Sequence, residues 1–133
     1  MQSLHKLRKA IIKLLYQQEF DVEEASLHEN YLLGNLKQDD CQWINIKINC
    51  IKQNKDHIDS LIAKHSENWK IERLGLVEKQ ILRLSTAELL FFPEVPMAVA
   101  IDEAVKLAKQ FCGVKSSGFI NGILEAIAGE SSD

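Results

Sequence analysis

Apolar residues recur at helical spacing in two stretches of the chain between Ile71 and Phe119. The first stripe comprises Leu74, Val77, Ile81 and Leu84, and the second comprises Ala98, Ile101, Val105, Ala108 and Cys112. Glu78, Lys79 and Arg83 fall away from the first stripe, as Asp102, Glu103 and Lys106 fall away from the second. This period predicts two amphipathic helices, the first of which packs on one side only.

Proline and glycine mark the limits of these two helices. Pro96 disfavours a helical conformation at Val95 and suits the first turn of the helix that follows. Gly113 comes directly after the second stripe, where a helix commonly ends. The sequence therefore predicts a short break near Pro96 and a helix stop at Gly113.

The N-terminal half carries weaker helical patterns. Leu4, Leu7, Ile11 and Leu14 predict a helix over about residues 3–18, and apolar residues from Val22 to Leu36 predict a second helix after Asp21. The segment 43–50 alternates as a strand would, but Ile44, Ile48 and Ile51 also fit a helix, which we favour because a lone strand has no partner. Ile58, Leu61 and Ile62 continue the helical pattern to about His65, and Trp69 is expected to anchor the next helix.

Length and composition favour one all-helical domain. The chain has 133 residues, 46% of them hydrophobic, and no clear hairpin signal. No apolar run is long enough to span a bilayer, and no signal peptide is recognisable, so we expect a soluble cytoplasmic protein. The three cysteines and four histidines lack the spacing of a metal site or a catalytic pair, so we expect no metal, no cofactor and no catalytic residue.

The charge is distributed unevenly. The whole chain has a formal charge of −3, yet its first 18 residues contain Lys6, Arg8, Lys9 and Lys13 and no acid. Lys6, Lys9 and Lys13 share a helical face opposite the apolar stripe, with His5 and Tyr16 at its margin. Such a face suits a phosphate backbone, and Tyr16 offers a ring to an unstacked base. A solvated basic surface is the simpler interpretation of these residues alone.

Two further features are explained more simply by a structural role than by a functional one. Glu88 falls in the apolar sector of its helix, where it is expected to accept backbone hydrogen bonds or to pair with a base rather than to act in catalysis. Ser116 or Ser117 is expected to cap the last helix, while Lys115 adds positive charge at an end that attracts anions.

Several of these segments together resemble the transcription antitermination factor NusB family. The matching motifs, in order, are Glu72-Arg73-Leu74, Val77-Glu78-Lys79, Ile81-Leu82-Arg83-Leu84, Glu88-Leu89, Val95-Pro96, Val99-Ala100-Ile101-Asp102-Glu103-Ala104-Val105, Leu107-Ala108-Lys109 and Phe119-Ile120-Asn121-Gly122-Ile123-Leu124. The resemblance implies one domain over 1–133 with a signature region at 71–128. It also implies an all-α fold of about seven helices in two packed helical subdomains.

The resemblance further implies an RNA-binding adaptor that is not an enzyme. Such a protein pairs with NusE, a small-subunit ribosomal protein, on boxA-like single-stranded RNA and helps RNA polymerase read through terminators in ribosomal RNA operons. The residues that it assigns to RNA are His5, Lys6, Arg8, Lys9, Lys13, Tyr16, Lys115, Ser116 and Phe119. It assigns Glu78 to the partner.

Two alternatives remain at this point. The first helix has one arginine where the family is usually arginine-rich, which leaves room for a protein-docking module or homodimer without RNA recognition. A similar domain also forms the RNA-binding part of certain ribosomal RNA methyltransferases. That alternative would need a catalytic domain, and this sequence carries no glycine-rich cofactor motif.

Overall fold

The computed structural model describes residues 3–20, 33–66 and 74–131, and in these ranges all regular secondary structure is helical. Six helices lie wholly within these ranges: α1 (Leu4–Gln18), α2 (Gln38–Gln53), α3 (Lys55–His65), α4 (Leu76–Phe91), α5 (Met97–Phe111) and α6 (Val114–Ser131). The predicted all-α fold is confirmed. Most of the helix predicted after Asp21, and Trp69, lie outside the described residues. None of the described helices is long and apolar enough to cross a membrane.

The ambiguous segment around Trp43 is helical. It belongs to α2, in which Ile44, Ile48 and Ile51 are buried while Ile46 is 58% exposed. The period of burial is thus that of a helix, and the strand alternative is wrong. The next helix ends at His65, where the apolar pattern predicted its end.

Helix α4 lies at the centre of the fold. It contacts each of the other five described helices, and every residue from Gln80 to Leu89 is buried. The prediction that this helix packs on one side only is therefore wrong. Helices α1, α2 and α3 cover part of its surface, and α5 and α6 cover the rest while packing on each other.

Arg83 illustrates why the one-sided prediction failed. The residue is 7% exposed, and its guanidinium donates bidentate hydrogen bonds to Asp59 of α3 at 2.8 and 2.9 Å and a third to Glu19 at 2.6 Å. A charged side chain can be buried when carboxylates from neighbouring elements satisfy it. Arg83 thereby joins the end of α1 and the middle of α3 to α4.

The buried face of α5 is rotated from the predicted stripe. Ala100, Ala104 and Leu107 are buried beside Ile101 and Ala108, whereas Ala98 is exposed. Val105 and Cys112 are half-buried at the edge of the core. The small alanines allow α5 to lie close to α4 and α6.

The junction between α5 and α6 consists of two residues, Cys112 and Gly113. Gly113 has φ +105°, a conformation that favours glycine, and α6 begins at the next residue. The predicted stop at Gly113 is confirmed, but the predicted cap at Ser116 or Ser117 is wrong. Because the glycine turns the chain at once, Ser117 already lies inside α6, where its hydroxyl donates to the carbonyl of Val114 at 2.6 Å.

Candidate nucleic-acid interface

The basic face of α1 presents lysines to solvent. Lys6 and Lys13 are exposed and Lys9 is half-buried, while Leu7, Ile11 and Leu14 on the other side are in the core. Ser3 caps the helix by accepting a hydrogen bond from the Lys6 backbone N–H at 3.3 Å. Among the described residues, no carboxylate forms an ion pair with any of these three lysines. Their charges are thus available to an anionic ligand.

Arg8 does not belong to this face. Its side chain is 3% exposed, and its Nε and Nη2 donate to the two oxygens of Glu88 at 2.8 and 2.7 Å. Burial works to lower the pKa of Arg8, but the hydrogen bonds and charge of Glu88 outweigh it and raise that pKa. The assignment of Arg8 to RNA is corrected on this ground, because the guanidinium is buried and its Nε–Nη2 edge is bound to Glu88 inside the protein.

Lys47 completes a buried charged cluster with Arg8 and Glu88. Its ammonium lies 3.2 Å from Glu88 Oε2, and burial lowers the pKa of Lys47. The ring of Phe92 lies 3.7 Å from this ammonium, and the ring of Trp43 lies 4.7 Å from it and 5.5 Å from the Arg8 guanidinium. Such cation–π contacts partly replace the lost hydration. The predicted structural role of Glu88, pairing with a base, is confirmed.

Sequence reasoning missed Lys47 and Trp43 as members of this cluster. A signal was present for Lys47, which lies three residues after Ile44 and four before Ile51 and so shares their buried face. A lysine at such a position needs a carboxylate from another element, and Glu88 was the one carboxylate already placed in an apolar sector. Combining the two observations would have predicted the pair.

His5 joins α1 to α5 rather than pointing into open solvent. Its Nδ1 lies 2.6 Å from Glu103 Oε2, and its Nε2 lies 3.3 Å from Gln110 Oε1. Lys9, one turn further along, lies over the ring of Phe111 at 5.9 Å from its centroid. His5 and Lys9 of α1 therefore both contact residues of α5.

A cavity of about 390 Å³ opens beside this margin. Tyr16 of α1, the start of α4 from Gly75 to Glu78, and Phe111 and Cys112 from the end of α5 line it. The Tyr16 ring meets Phe20 edge to face at 5.0 Å, and Phe20 is 60% exposed. The structure thus brings together Tyr16, which the sequence assigned to RNA, and Glu78, which it assigned to the partner.

Glu78 is one of the residues that line this cavity. Burial raises the pKa of the Cys112 thiol, and the negative charge of Glu78 raises it further. The same carboxylate folds back over the start of α4, since a Cβ added to Gly75 would lie 2.5 Å from Glu78 Oε1. An acidic residue in the first turn of a helix also interacts favourably with the helix dipole.

The remaining predicted site residues lie at the start of α6. Lys115 is exposed, Ser116 is half-buried, and Phe119 is half-buried and packs against the core. Other residues at this end of α6, Val114, Ser117 and Gly118, line a separate cavity between α5 and α6, and Lys115 is in the lining of neither cavity. Within the described ranges, no cluster of histidine, cysteine or acidic side chains has the arrangement of a metal site.

Comparison with known proteins gives a consistent result. Residues 5–129 match the NusB family. The transcription antitermination protein NusB of Natranaerobius thermophilus is 41% identical over 130 residues, covering 92% of each chain. The solved structure of T. maritima NusB superposes with a TM-score of 0.89 at 36% identity, covering 99% of this chain and 94% of that one.

A second solved structure contains antitermination factors NusB and NusE in complex with double-stranded RNA. It superposes with a TM-score of 0.82 at 26% identity and covers 95% of this chain and 96% of that chain. The match to the family, over residues 5–129, includes all of α2 to α5 and nearly all of α1 and α6. On the strength of the family match and the identity to a NusB protein over most of both chains, this chain belongs to the NusB family.

Proposed function

We propose that the chain is a single-domain RNA-binding transcription antitermination factor, not an enzyme, that pairs with NusE on boxA-like single-stranded RNA. It acts in the cytoplasm with RNA polymerase to promote read-through in ribosomal RNA operons. Membership of the NusB family supports this proposal, as does the similarity to a structure of antitermination factors NusB and NusE with RNA. The observation that carries the RNA part is the unpaired lysine face of α1.

Electrostatic attraction brings the RNA to this face. Lys6 and Lys13 project into solvent and Lys9 lies beside them, so the three ammonium groups follow the helix along one side. Each phosphate neutralised by a lysine releases counterions, which makes the affinity fall as salt is added. Lys115, at the start of α6, is a further exposed lysine.

Selectivity requires contacts to bases as well as to phosphates. The ring of Phe119 and the hydroxyl of Ser116 lie near the start of α6, and the imidazole of His5 lies at the margin of the lysine face. Tyr16 offers a further ring. Unstacked bases of single-stranded RNA stack on aromatic side chains, so these groups would read the bases while the lysines hold the backbone.

The buried cluster gives this face its rigidity. Arg8 lies between Lys6 and Lys9 in the sequence, and the Nε–Nη2 edge of its guanidinium is bound to Glu88 of α4. The lysines of the same helix are thereby held at a fixed rotation about the helix axis. A preorganised surface loses less conformational entropy when it binds its ligand.

The test is fluorescence anisotropy with a short boxA-like RNA and a scrambled RNA, with and without NusE, across a salt series. We expect selective binding that tightens with NusE. We also expect the salt slope of Lys13→Glu to fall by about 0.7 for a lost single-stranded phosphate contact. Lys52→Glu is the matched control, because Lys52 is an exposed lysine at the end of α2.

Two outcomes would contradict the proposal. If boxA-like and scrambled RNA bind equally, with or without NusE, the protein does not recognise RNA sequence. If Lys13→Glu and Lys52→Glu change the salt slope alike, the α1 face is not the RNA site. NusE binding without RNA selectivity would favour the protein-docking alternative, and self-association measured by sedimentation would favour its homodimeric form.

A further inference from the structure

We propose that His5 supports RNA binding indirectly, by holding and covering the carboxylate of Glu103 with a hydrogen bond, rather than by contacting a base. This inference rests on the proposed function, in which RNA lies along the lysine face of α1. It changes the part that His5 plays in that function, and it makes RNA affinity depend on Glu103. The geometry of the imidazole and the reach of the Glu103 charge both support it.

Both ring nitrogens of His5 are turned toward α5. Nδ1 lies 2.6 Å from Oε2 of Glu103, and Nε2 lies 3.3 Å from Oε1 of Gln110. An ionised carboxylate only accepts hydrogen bonds, so Nδ1 carries a hydrogen and donates it to Glu103. The two nitrogens are the only polar atoms of the imidazole. A base edge could therefore form a hydrogen bond with His5 only by displacing a contact inside the protein.

Glu103 depends on His5 for its hydrogen bond. Among the described residues, His5 is the only side chain that forms an ion pair or a hydrogen bond with Glu103. The side chains are 27% exposed for His5 and 16% exposed for Glu103, so the contact is shielded from water more than an ordinary surface pair. Hydrogen bonds to an ionised acceptor are stronger than those between neutral groups. Removal of the imidazole would leave the Glu103 carboxylate without a donor.

The charge of Glu103 reaches the helix that carries the lysines. Burial works to lower the pKa of Arg8, but Glu88 outweighs burial, and the charge of Glu103 raises that pKa further. Lys9, one turn after His5, also contacts α5, at the ring of Phe111. Phosphates bound along α1 would thus lie beside the helix that carries Glu103. Charges at a surface interact over a screening length of about 10 Å at 0.1 M salt, so an uncovered carboxylate here would repel the RNA backbone.

Asp102 provides a matched comparison on the same helix. It precedes Glu103 by one position, lines the cavity between α5 and α6, and pairs with Lys106 at 3.1 Å. Successive residues of an α-helix are rotated by about 100°, which is why Asp102 lies toward α6 while Glu103 contacts α1. Asp102→Asn therefore removes the same charge from the other side of α5.

The test is a double-mutant cycle between His5 and Glu103, with affinity for a boxA-like RNA measured by fluorescence anisotropy. Glu103→Gln keeps the shape of the side chain, removes its charge, and is expected to bind RNA at least as tightly as the wild type. We expect His5→Ala to weaken RNA binding about fivefold, because the uncovered charge repels the phosphates. In the Glu103→Gln background the same substitution should have no effect, since no charge remains to be covered.

The Asp102→Asn background is the control, and there His5→Ala should again weaken binding about fivefold, because Glu103 is still charged. An equal loss in the wild-type and Glu103→Gln backgrounds would mean that His5 contacts RNA itself. Weaker RNA binding by Glu103→Gln alone would mean that the hydrogen bond only holds α1 in place. Either result, or no loss in any background, would overturn the inference while leaving the proposed function intact. Failure of the wild-type protein to select boxA-like RNA, with or without NusE, would instead overturn both.

Discussion

Replacing Glu88 with glutamine would remove the negative charge from the buried cluster while keeping its shape. Glu88 is 2% exposed and accepts three hydrogen bonds, two from Arg8 and one from Lys47. After the substitution, two cationic side chains, each 3% exposed, would face one neutral amide. Neither cation has another carboxylate within ion-pair distance in the described part of the chain.

The expected loss is large because the partners cannot reach water. Removing one member of a buried ion pair costs about 3–5 kcal/mol, since the charge left behind remains desolvated. The glutamine amide can still accept one hydrogen bond, so we place the loss near the lower end, at about 3 kcal/mol. For a chain of this length that corresponds to a fall in melting temperature of about 10 °C.

The converse substitution should cost much less. Lys47→Met removes the third charge and leaves the bidentate pair between Arg8 and Glu88 formally neutral. Burial already lowers the pKa of Lys47, which means that the charged form of this side chain is disfavoured in the cluster. A methionine side chain would pack between the rings of Phe92 and Trp43. We expect a change of about 1 kcal/mol or less, in either direction.

Urea unfolding followed by circular dichroism, at neutral pH, measures both variants against the wild type. The reasoning predicts an order: Glu88→Gln is far less stable than Lys47→Met. If Glu88→Gln lost less than about 1 kcal/mol, or if Lys47→Met were the less stable variant, the cluster would not be held by its central carboxylate. A change in the m-value would indicate that the denatured or native state had changed as well.

Two further predictions concern the helix ends. Burial works to raise the pKa of Glu19, but hydrogen bonds from Arg83 and Gln80 outweigh it and hold that pKa below its usual 4.5. The stability that Glu19 contributes is therefore present above pH 4.5 and lost as the pH falls through its lowered pKa, so Glu19→Gln should flatten the acid limb of a stability–pH curve measured by urea unfolding. An unchanged acid limb would contradict this assignment. Gly113→Ala should cost about 1–2 kcal/mol because of its φ of +105°, whereas Gly118→Ala, inside α6 with open space around it, should gain about 0.5 kcal/mol in the same assay. Equal effects of the two alanines would refute the backbone explanation.

Apolar periodicity predicted the helices well because burial repeats with the helix. Ile44, Ile48 and Ile51 fixed the helical character of α2, and Gly113 fixed the end of α5, since each signal depends only on neighbouring residues. The start of α6 was predicted too late, after a cap at Ser116 or Ser117, whereas the helix begins at Val114. Ser116 and Ser117 are good capping residues, but a glycine at positive φ lets a helix begin without one.

Periodicity failed where a polar residue is buried by a distant partner. Arg8 lies between the buried residues Leu7 and Ile11 and four positions before Ile12, so it shares the apolar face of α1, yet its charge suggested the surface. Whether Arg8 is buried or exposed depends on the position of Glu88, eighty residues away in the sequence. The meeting of Tyr16 with Glu78 is likewise a property of the packing of α1, α4 and α5, which local spacing does not contain.

The central position of α4 has a consequence for the order of events during protein synthesis. The lysines of α1 leave the ribosome first, but Glu88, which holds α1 in its rotation, is made eighty residues later. Helices α1 and α2 contact each other, but α1, α2 and α3 all pack on α4 as well, so their shared core stays incomplete until α4 emerges. A nascent chain that ends before Phe91 therefore carries the charges of the basic face without its geometry. We therefore expect the basic face to take its final form only after α4 has been made.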